Sequence, residues 1–172
     1  ALPPSPPFTS NPNTLRSALQ HAISARGRTA LYDAVLAGLE YLSSGSRARR
    51  VLVVVSDGGD NASRTTAQEV FRKAQSSNAM IHTLALRDAA RPHEGDPGLL
   101  RDLARVTGGA AYRPKHPRHV DTALREIARD IRHTYTIGYV PTQTDRDGTY
   151  HRVRVEVESP DGRRLRVRSR NG

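Results

Sequence analysis

Residues 51–58, Val-Leu-Val-Val-Val-Ser-Asp-Gly, decide the fold of this chain. Five apolar residues, four of them β-branched valines, lead directly into a short polar turn that carries a carboxylate. An unbroken apolar run of this kind is typical of a strand that is buried on both faces of a parallel sheet. Ligands of such sheets bind just beyond the carboxyl ends of the strands, so Asp57 lies where a site is expected.

Composition restricts the class of protein. The 172 residues suit one domain, and no apolar run approaches the roughly 20 residues of a membrane span. The absence of cysteine excludes a disulfide framework and thiolate metal sites. His116 and His119 fit no metal motif and are interpreted as surface residues. No nucleophile elbow, phosphate-binding loop or readable nucleophile–base pair occurs, so we expect no enzymatic activity.

The net charge is +10, and arginine supplies nearly all of the positive charge. Two interpretations stay open: an anionic partner such as nucleic acid, or a solvated surface that uses arginine instead of lysine. The arginines are spread along the chain, and aromatic residues make up only 5%, whereas binding of single strands needs aromatic stacking platforms. Composition therefore favours the solvated surface and leaves nucleic acid as an alternative partner.

Hydrophobic periodicity alternates between strands and helices over most of the chain. Apolar residues at helical spacing predict helices that begin near residues 14, 31, 67, 97 and 120. Apolar runs predict strands at 51–55, 80–86, 110–112 and 135–140, and we expect 51–55 to be central and parallel to 80–86. This alternation is typical of an α/β fold, a mainly parallel sheet with helices on both faces.

The pattern changes after residue 140. Apolar and charged residues alternate on either side of the turn Ser159-Pro160-Asp161-Gly162, which predicts an antiparallel hairpin that extends one edge of the sheet. We therefore divide the chain into an α/β part, residues 1–140, and an appended β-hairpin, residues 141–172. The alternation predicts one buried face on the hairpin, made of Val153, Val155, Val157, Leu165 and Val167.

Two loops carry the residues that suggest a function. The segment Gly27-Arg28-Thr29-Ala30-Leu31-Tyr32-Asp33-Ala34 opens a helix, and Ser56-Asp57-Gly58 follows the apolar strand. Together with Thr107-Gly108-Gly109 and the order of strands and helices, these loops resemble the von Willebrand factor A (VWA) domain, which has a Rossmann-like fold. The tail after residue 134 is similar to that of a bacterial, Acidobacteria-type subgroup of VWA-related proteins, which favours a bacterial extracytoplasmic location.

The resemblance implies a non-enzymatic protein-binding, adhesion or scaffolding module that uses a metal-ion-dependent adhesion site. In this family, loops at the carboxyl edge of the sheet hold Mg²⁺, or Mn²⁺ or Ca²⁺, and the exposed ion accepts an acidic side chain of a partner protein. Thr29 matches the family's threonine, and Asp57 matches its aspartate. Further candidate metal or ligand contacts in the same loop are Ser56, Gly58, Asp60 and Asn61.

One part of the family's site is not in this sequence. The Asp-x-Ser-x-Ser loop, which follows the first strand in the family, occurs nowhere in the chain. We therefore expect the C-terminal portion of a longer VWA domain, in which metal binding is weak or absent without that loop; the alternative is a natural half-domain that never binds metal. Simpler interpretations of single residues also stay open, with Thr29 as a helix N-cap and Asp57-Gly58 as a strand-ending turn.

Overall fold

The computed structural model describes residues 7–22, 28–86, 95–135, 137–138, 154–165 and 167–170. Within these ranges the helices are α1 (Pro12–Ala22), α2 (Leu31–Ser43), α3 (Ala67–Ser76), α4 (Pro97–Val106) and α5 (Val120–Arg132). The strands are β1 (Arg50–Ser56), β2 (Ala79–Ala85) and β3 (Ala111–Tyr112), and a short 3₁₀ turn (Pro117–His119) precedes α5. The α/β class is therefore confirmed. No helix in the described ranges is long and apolar enough to cross a membrane.

The described strands form one parallel sheet in the order β1-β2-β3. The register of β1 and β2 is unbroken, from Arg50 opposite Ala79 to Ser56 opposite Ala85. The predicted parallel pairing of the two apolar strands is thus confirmed. Because all strands point the same way, their carboxyl ends and the loops that follow them meet at one edge of the sheet.

The prediction that 51–55 is the central strand is wrong for the described residues. β2 lies at the centre and β1 at an edge, where Val53 is 38% and Val55 is 51% exposed. By contrast, β2 is buried at every position from Ile81 to Ala85, although it contains His82 and a threonine. An apolar run shows that a strand can be buried on both faces, but the neighbouring elements decide whether it is.

One face of the sheet is covered by α2, α3 and α4 and holds the main core. Leu52 on β1 touches Gly38 of α2, and the Thr83 hydroxyl on β2 donates to the Leu100 carbonyl of α4 at 3.1 Å. Burial of this apolar surface is the main stabilising contribution to the fold. The buried core residues are Leu31, Val35, Leu39, Val54, Val70, Ala74, Ala79, Ile81, Ala85, Leu100 and Leu103.

The opposite face carries α5. Tyr112 on β3 lies opposite Leu84 of β2, and its hydroxyl donates to Asp130 of α5 at 2.9 Å. Ala123 and Ile127 of α5 are buried. The predicted arrangement of helices on both faces is therefore present, and no element in the described part of the chain covers this face over β1.

Local sequence signals fix the helix starts. Thr66 and Glu69 form a capping box at the start of α3. Asp96 caps α4 by accepting the Leu99 N–H at 2.9 Å, with proline at the first helical position. At α1 the cap is Asn11, which accepts the Asn13 N–H at 2.9 Å, so this helix begins earlier than predicted. Caps of this kind satisfy N–H groups that have no partner within the helix.

The C-terminal region differs from the predicted hairpin. The turn at Ser159 closes, and Glu158 and Arg164 form a single antiparallel bridge, but no strand extends the sheet in the described residues. The predicted burial of Val157 and Leu165 is wrong, since they are 39% and 49% exposed. None of the described elements covers these two side chains, so alternation of apolar and charged residues was not enough to bury them. Val153 lies outside the described residues.

The predicted strand at 135–140 is also not formed where the structure describes it. Tyr135 and Ile137 are 85% and 69% exposed and belong to no strand. The positions at 136, 139 and 140 lie outside the described residues.

Candidate functional site

Backbone hydrogen bonds join the two candidate loops at the carboxyl edge of the sheet. The Thr29 N–H donates to the Asn61 side-chain oxygen at 2.8 Å. In return, the Thr29 carbonyl accepts the N–H groups of Asn61 and Ala62 at 2.9 and 3.1 Å. The segment that holds Thr29 and the loop that holds Asp57 are therefore neighbours in space, although about 30 residues separate them along the chain.

Asp60 caps α2 from the other loop. Its carboxylate accepts the N–H groups of Tyr32 and Ser63 at 3.0 and 3.2 Å and the Ser63 hydroxyl. The Ser63 hydroxyl oxygen in turn accepts the Asp33 N–H at 3.1 Å. The helix needs these partners because its own N-cap residue, Ala30, offers no side-chain cap. The alternative in which Thr29 is the N-cap is therefore wrong.

Hydrogen bonds keep two aspartates of this junction ionised. Burial opposes ionisation of Asp60 and is the largest single influence, but hydrogen bonds from Ser63 and Tyr32 outweigh it and lower the pKa of Asp60 below its ordinary value. The pKa of Asp33 is lowered mainly by hydrogen bonds from Thr65 and also by the Arg64 N–H. Both carboxylates are thus anions that tie the loop of residues 60–65 to the start of α2.

The side-chain oxygens of Asp57 and Thr29 accept fewer hydrogen bonds than those of Asp60 and Asp33. One carboxylate oxygen of Asp57, Oδ1, accepts the Gly59 N–H at 2.9 Å and lies 3.5 Å from the Ser56 hydroxyl. Within the described residues, neither its Oδ2 nor the Thr29 hydroxyl has a hydrogen bond. Thr29 is exposed and Asp57 is half-buried. These two oxygens are therefore free to contact a ligand.

The remaining candidates of the loop have structural contacts. The Ser56 hydroxyl oxygen accepts the Gly58 N–H at 3.1 Å, which closes the turn after β1. The oxygens of Asp60 and the side-chain oxygen of Asn61 hold the segment that opens α2. Gly58 has a positive φ of 89°, and a Cβ there would lie 2.3 Å from the Asp96 carbonyl oxygen. Its role is to allow this close backbone approach.

A third loop, absent from the sequence-based prediction, meets the other two at this edge. Gly95, with φ at 123°, touches the Asp57 backbone, since a Cβ on it would lie 2.5 Å from the Asp57 carbonyl oxygen. Tyr32 is close to this loop as well. Burial raises the pKa of its phenol, and the negative charges of Asp60 and Asp96 raise it further. The signal in the sequence is Gly95-Asp96-Pro97, although the hydrophobic pattern there predicts only the start of a helix near residue 97.

The available oxygens offer an incomplete set of metal ligands. Mg²⁺ prefers near-octahedral coordination by oxygens and usually retains several waters. The free groups, a neutral hydroxyl on Thr29 and one carboxylate oxygen on Asp57, are of the right chemical type. However, no group of three or more acidic, histidine or cysteine side chains that could hold a metal occurs in the ranges that the structure describes. The chain fits a metal partly and needs further ligands.

His82 forms a separate buried polar group that the sequence did not reveal. It is 1% exposed on β2, and its Nδ1 accepts the Ala110 N–H at 3.2 Å. Its Nε2 has no partner among the described residues. Burial lowers its pKa, and nearby Asp130 opposes that shift. Burial also raises the pKa of Tyr112 to about 12, assisted by its hydrogen bond to Asp130. The imidazole is closed to solvent and packs within the sheet.

A match to one family model agrees with the fold. A family model for the von Willebrand factor type A domain matches residues 6–137. Among solved structures, the chain is similar to an uncharacterised membrane-spanning protein from Vibrio fischeri, with 20% sequence identity and a TM-score of 0.43. That match covers 70% of this chain and 67% of the other. A search of curated proteins gave no match.

Proposed function

This chain belongs to the von Willebrand factor type A family, and from that membership we propose that it is a non-enzymatic protein-binding module. VWA domains generally mediate protein interactions, often through a metal-ion-dependent adhesion site. We place the binding surface of this protein at the carboxyl edge of its sheet, around Thr29 and Asp57. A cation held there would present an uncompensated positive charge to an acidic side chain of the partner.

The observation that carries the proposal is the junction of the two loops. Hydrogen bonds between Thr29 and Asn61 and between Tyr32 and Asp60 fix both loops against the start of α2. Because Asp60 and Asn61 carry out this structural task, the free oxygens of Thr29 and Asp57 can face a ligand. Groups held by such a rigid frame lose little conformational entropy on binding.

The missing ligands come, in our proposal, from polypeptide upstream of Ala1, so that the chain is the C-terminal portion of a larger domain. Within the described residues β1 has an unpaired edge and an open face, and both support this proposal. Val53 and Val55 remain 38% and 51% exposed on a strand of β-branched residues, a type of strand that is normally covered on both faces in a parallel sheet. An added strand on this edge would bring its following loop to the carboxyl edge, beside Asp57.

Calorimetric titration of Mg²⁺ or Mn²⁺ tests the site. The chain extended by its upstream coding sequence should bind the ion, Asp57→Ala should abolish that binding, and the present chain should bind weakly or not at all. Asp102→Ala, which removes an exposed carboxylate from α4, is the matched control and should leave binding intact. Equal binding by the extended chain and its Asp57→Ala variant would refute the adhesion-site proposal.

Salt and chelator separate protein binding from the alternative, nucleic acid. Binding through an adhesion site should be lost in EDTA. Binding to phosphates should ignore EDTA and weaken steeply with salt, because it depends on the release of counterions. Chelator-insensitive, strongly salt-dependent binding of an oligonucleotide by the extended chain would favour the alternative.

A further inference from the structure

Arginines at the amino edge of the sheet have structural partners. Three of them donate to carbonyls at the C-terminal ends of helices, where the helix dipole favours a cation. Arg50 donates to the carbonyls of Ser43 and Gly45 at the end of α2. Arg49 donates to those of Ile131 and Thr134 at the end of α5. Arg170 donates to those of Ala74 and Gln75 at the end of α3. These three arginines therefore have a structural role at the helix ends.

A second group of cations has no such partner. The loop between β3 and α5, residues 113–119, reads Arg-Pro-Lys-His-Pro-Arg-His. Arg113, Lys115 and Arg118 are exposed, and within the described residues none of them makes an ion pair or a side-chain hydrogen bond. We call these seven residues the basic loop. Its charge is therefore uncompensated.

The basic loop is built to hold its shape. Pro114 and Pro117 restrict the backbone, and the His119 N–H donates to the His116 carbonyl at 2.9 Å to close the 3₁₀ turn. The rings of these two histidines meet edge to face, with centroids 5.5 Å apart. A restricted loop presents its charges with a smaller entropy cost than a free one would.

The basic loop lies on the same side of the sheet as the proposed binding site. It follows β3, which is parallel to β1 and β2, so it leaves the sheet at the carboxyl edge. The loops that hold Thr29 and Asp57 lie at that edge as well. The N-terminal end of α5, where the helix dipole is positive, follows the loop, and Asp121 in its first turn pairs with Arg125.

We propose that the basic loop is a second contact for the partner protein and binds an acidic segment of it, rich in aspartate or glutamate. This inference rests on the proposed function, because it places the partner at the same edge. A short acidic segment suits the surface better than a nucleic acid does. The patch is only a few charges wide, and the arginines at the opposite edge are bound to helix carbonyls. The loop has no phenylalanine, tyrosine or tryptophan on which a base could stack, and the rings of its two histidines pack against each other.

Fluorescence anisotropy with a fluorescein-labelled oligoglutamate peptide tests the inference in the present chain at low salt and in EDTA. Replacing Arg113, Lys115 and Arg118 together by glutamine should weaken binding about tenfold, the effect of a few exposed ion pairs. The matched control replaces Arg16, Arg47 and Lys73 by glutamine. These three residues are also exposed, and their replacement lowers the net charge by the same amount. The control should bind the peptide like the unmodified chain.

Besides an unaltered affinity of the basic-loop variant for the peptide, two results would overturn the inference. One is an equal loss of affinity in both triple variants, which would show a response to net charge alone. The other is tighter binding of a labelled oligothymidylate of matched charge, lost in the basic-loop variant, which would identify the loop as a nucleic-acid contact. The chelator keeps this test separate from the metal site. Failure of Asp57→Ala to change Mg²⁺ binding refutes the proposed site, whereas an unaltered affinity of the basic-loop variant for the peptide refutes only this inference.

Discussion

Replacing Asp60 with alanine tests whether this carboxylate holds the two loops of the site together. The change leaves the N–H groups of Tyr32 and Ser63 without their acceptor. At about 1 kcal/mol for each half-buried backbone bond, the free energy of unfolding should fall by about 2 kcal/mol, a factor of about 30 in the unfolding equilibrium. With a urea m-value of about 2 kcal/mol/M, the midpoint should fall by about 1 M.

Two variants sharpen this measurement. Asp60→Asn keeps one acceptor oxygen and should cost about half as much as alanine, about 1 kcal/mol. Asp102→Ala removes an exposed carboxylate whose ion pairs lie on the surface of α4, so its effect should stay within about 0.5 kcal/mol. A midpoint for Asp60→Ala that matches the Asp102→Ala midpoint would refute the assignment of Asp60 as the cap of α2.

The same carboxylate gives stability a defined dependence on pH. Its folded pKa lies below the ordinary value of 3.8, so the unfolded chain takes up the proton first as the pH falls. The contribution of Asp60 is therefore complete above the ordinary value and is lost as the pH drops through 3.8 towards the folded pKa. Urea titrations should show that the free energy of unfolding falls more steeply below pH ~4 in the unmodified chain than in Asp60→Asn. Parallel falls in the two proteins would contradict the role of the ionised Asp60 carboxylate.

Other substitutions test the packing around the sheet. Thr107→Val should cost about 1–3 kcal/mol in urea titrations, because the buried hydroxyl accepts a β2 backbone N–H at 2.9 Å; an unchanged midpoint would exclude that bond. Gly109→Ala should prevent soluble expression or lower the thermal midpoint sharply, because the new Cβ would lie 1.9 Å from a β2 carbonyl oxygen. Gly138→Ala is the control and should leave the thermal midpoint unchanged, because its Cβ would have no described neighbour within 4 Å. Val54→Thr should cost about 1–2 kcal/mol and Val55→Thr less than about 0.5 kcal/mol. Equal costs would contradict the exposure of Val55 on the open face of β1.

The sequence alone determined the local structure and the fold class. The capping box at Thr66, the Asp96-Pro97 start of α4 and the apolar strands are short-range features, since each depends on residues within a few positions of one another. Their order predicted the parallel sheet and its helices, and it placed Asp57 at the end of a strand. The family resemblance then selected Thr29 and Asp57 as candidate ligands, and their metal-binding role stays a prediction.

Only the tertiary structure decided which polar side chains hold the two loops together and which keep an oxygen available for a ligand. The bond of Asp60 to Tyr32 spans 28 residues and that of Asp33 to Thr65 spans 32, and no local pattern specifies a hydrogen bond over such a distance. Burial likewise depended on neighbours. The same apolar character that buries β2 leaves Val55 exposed, because a strand is covered only where another element packs on it.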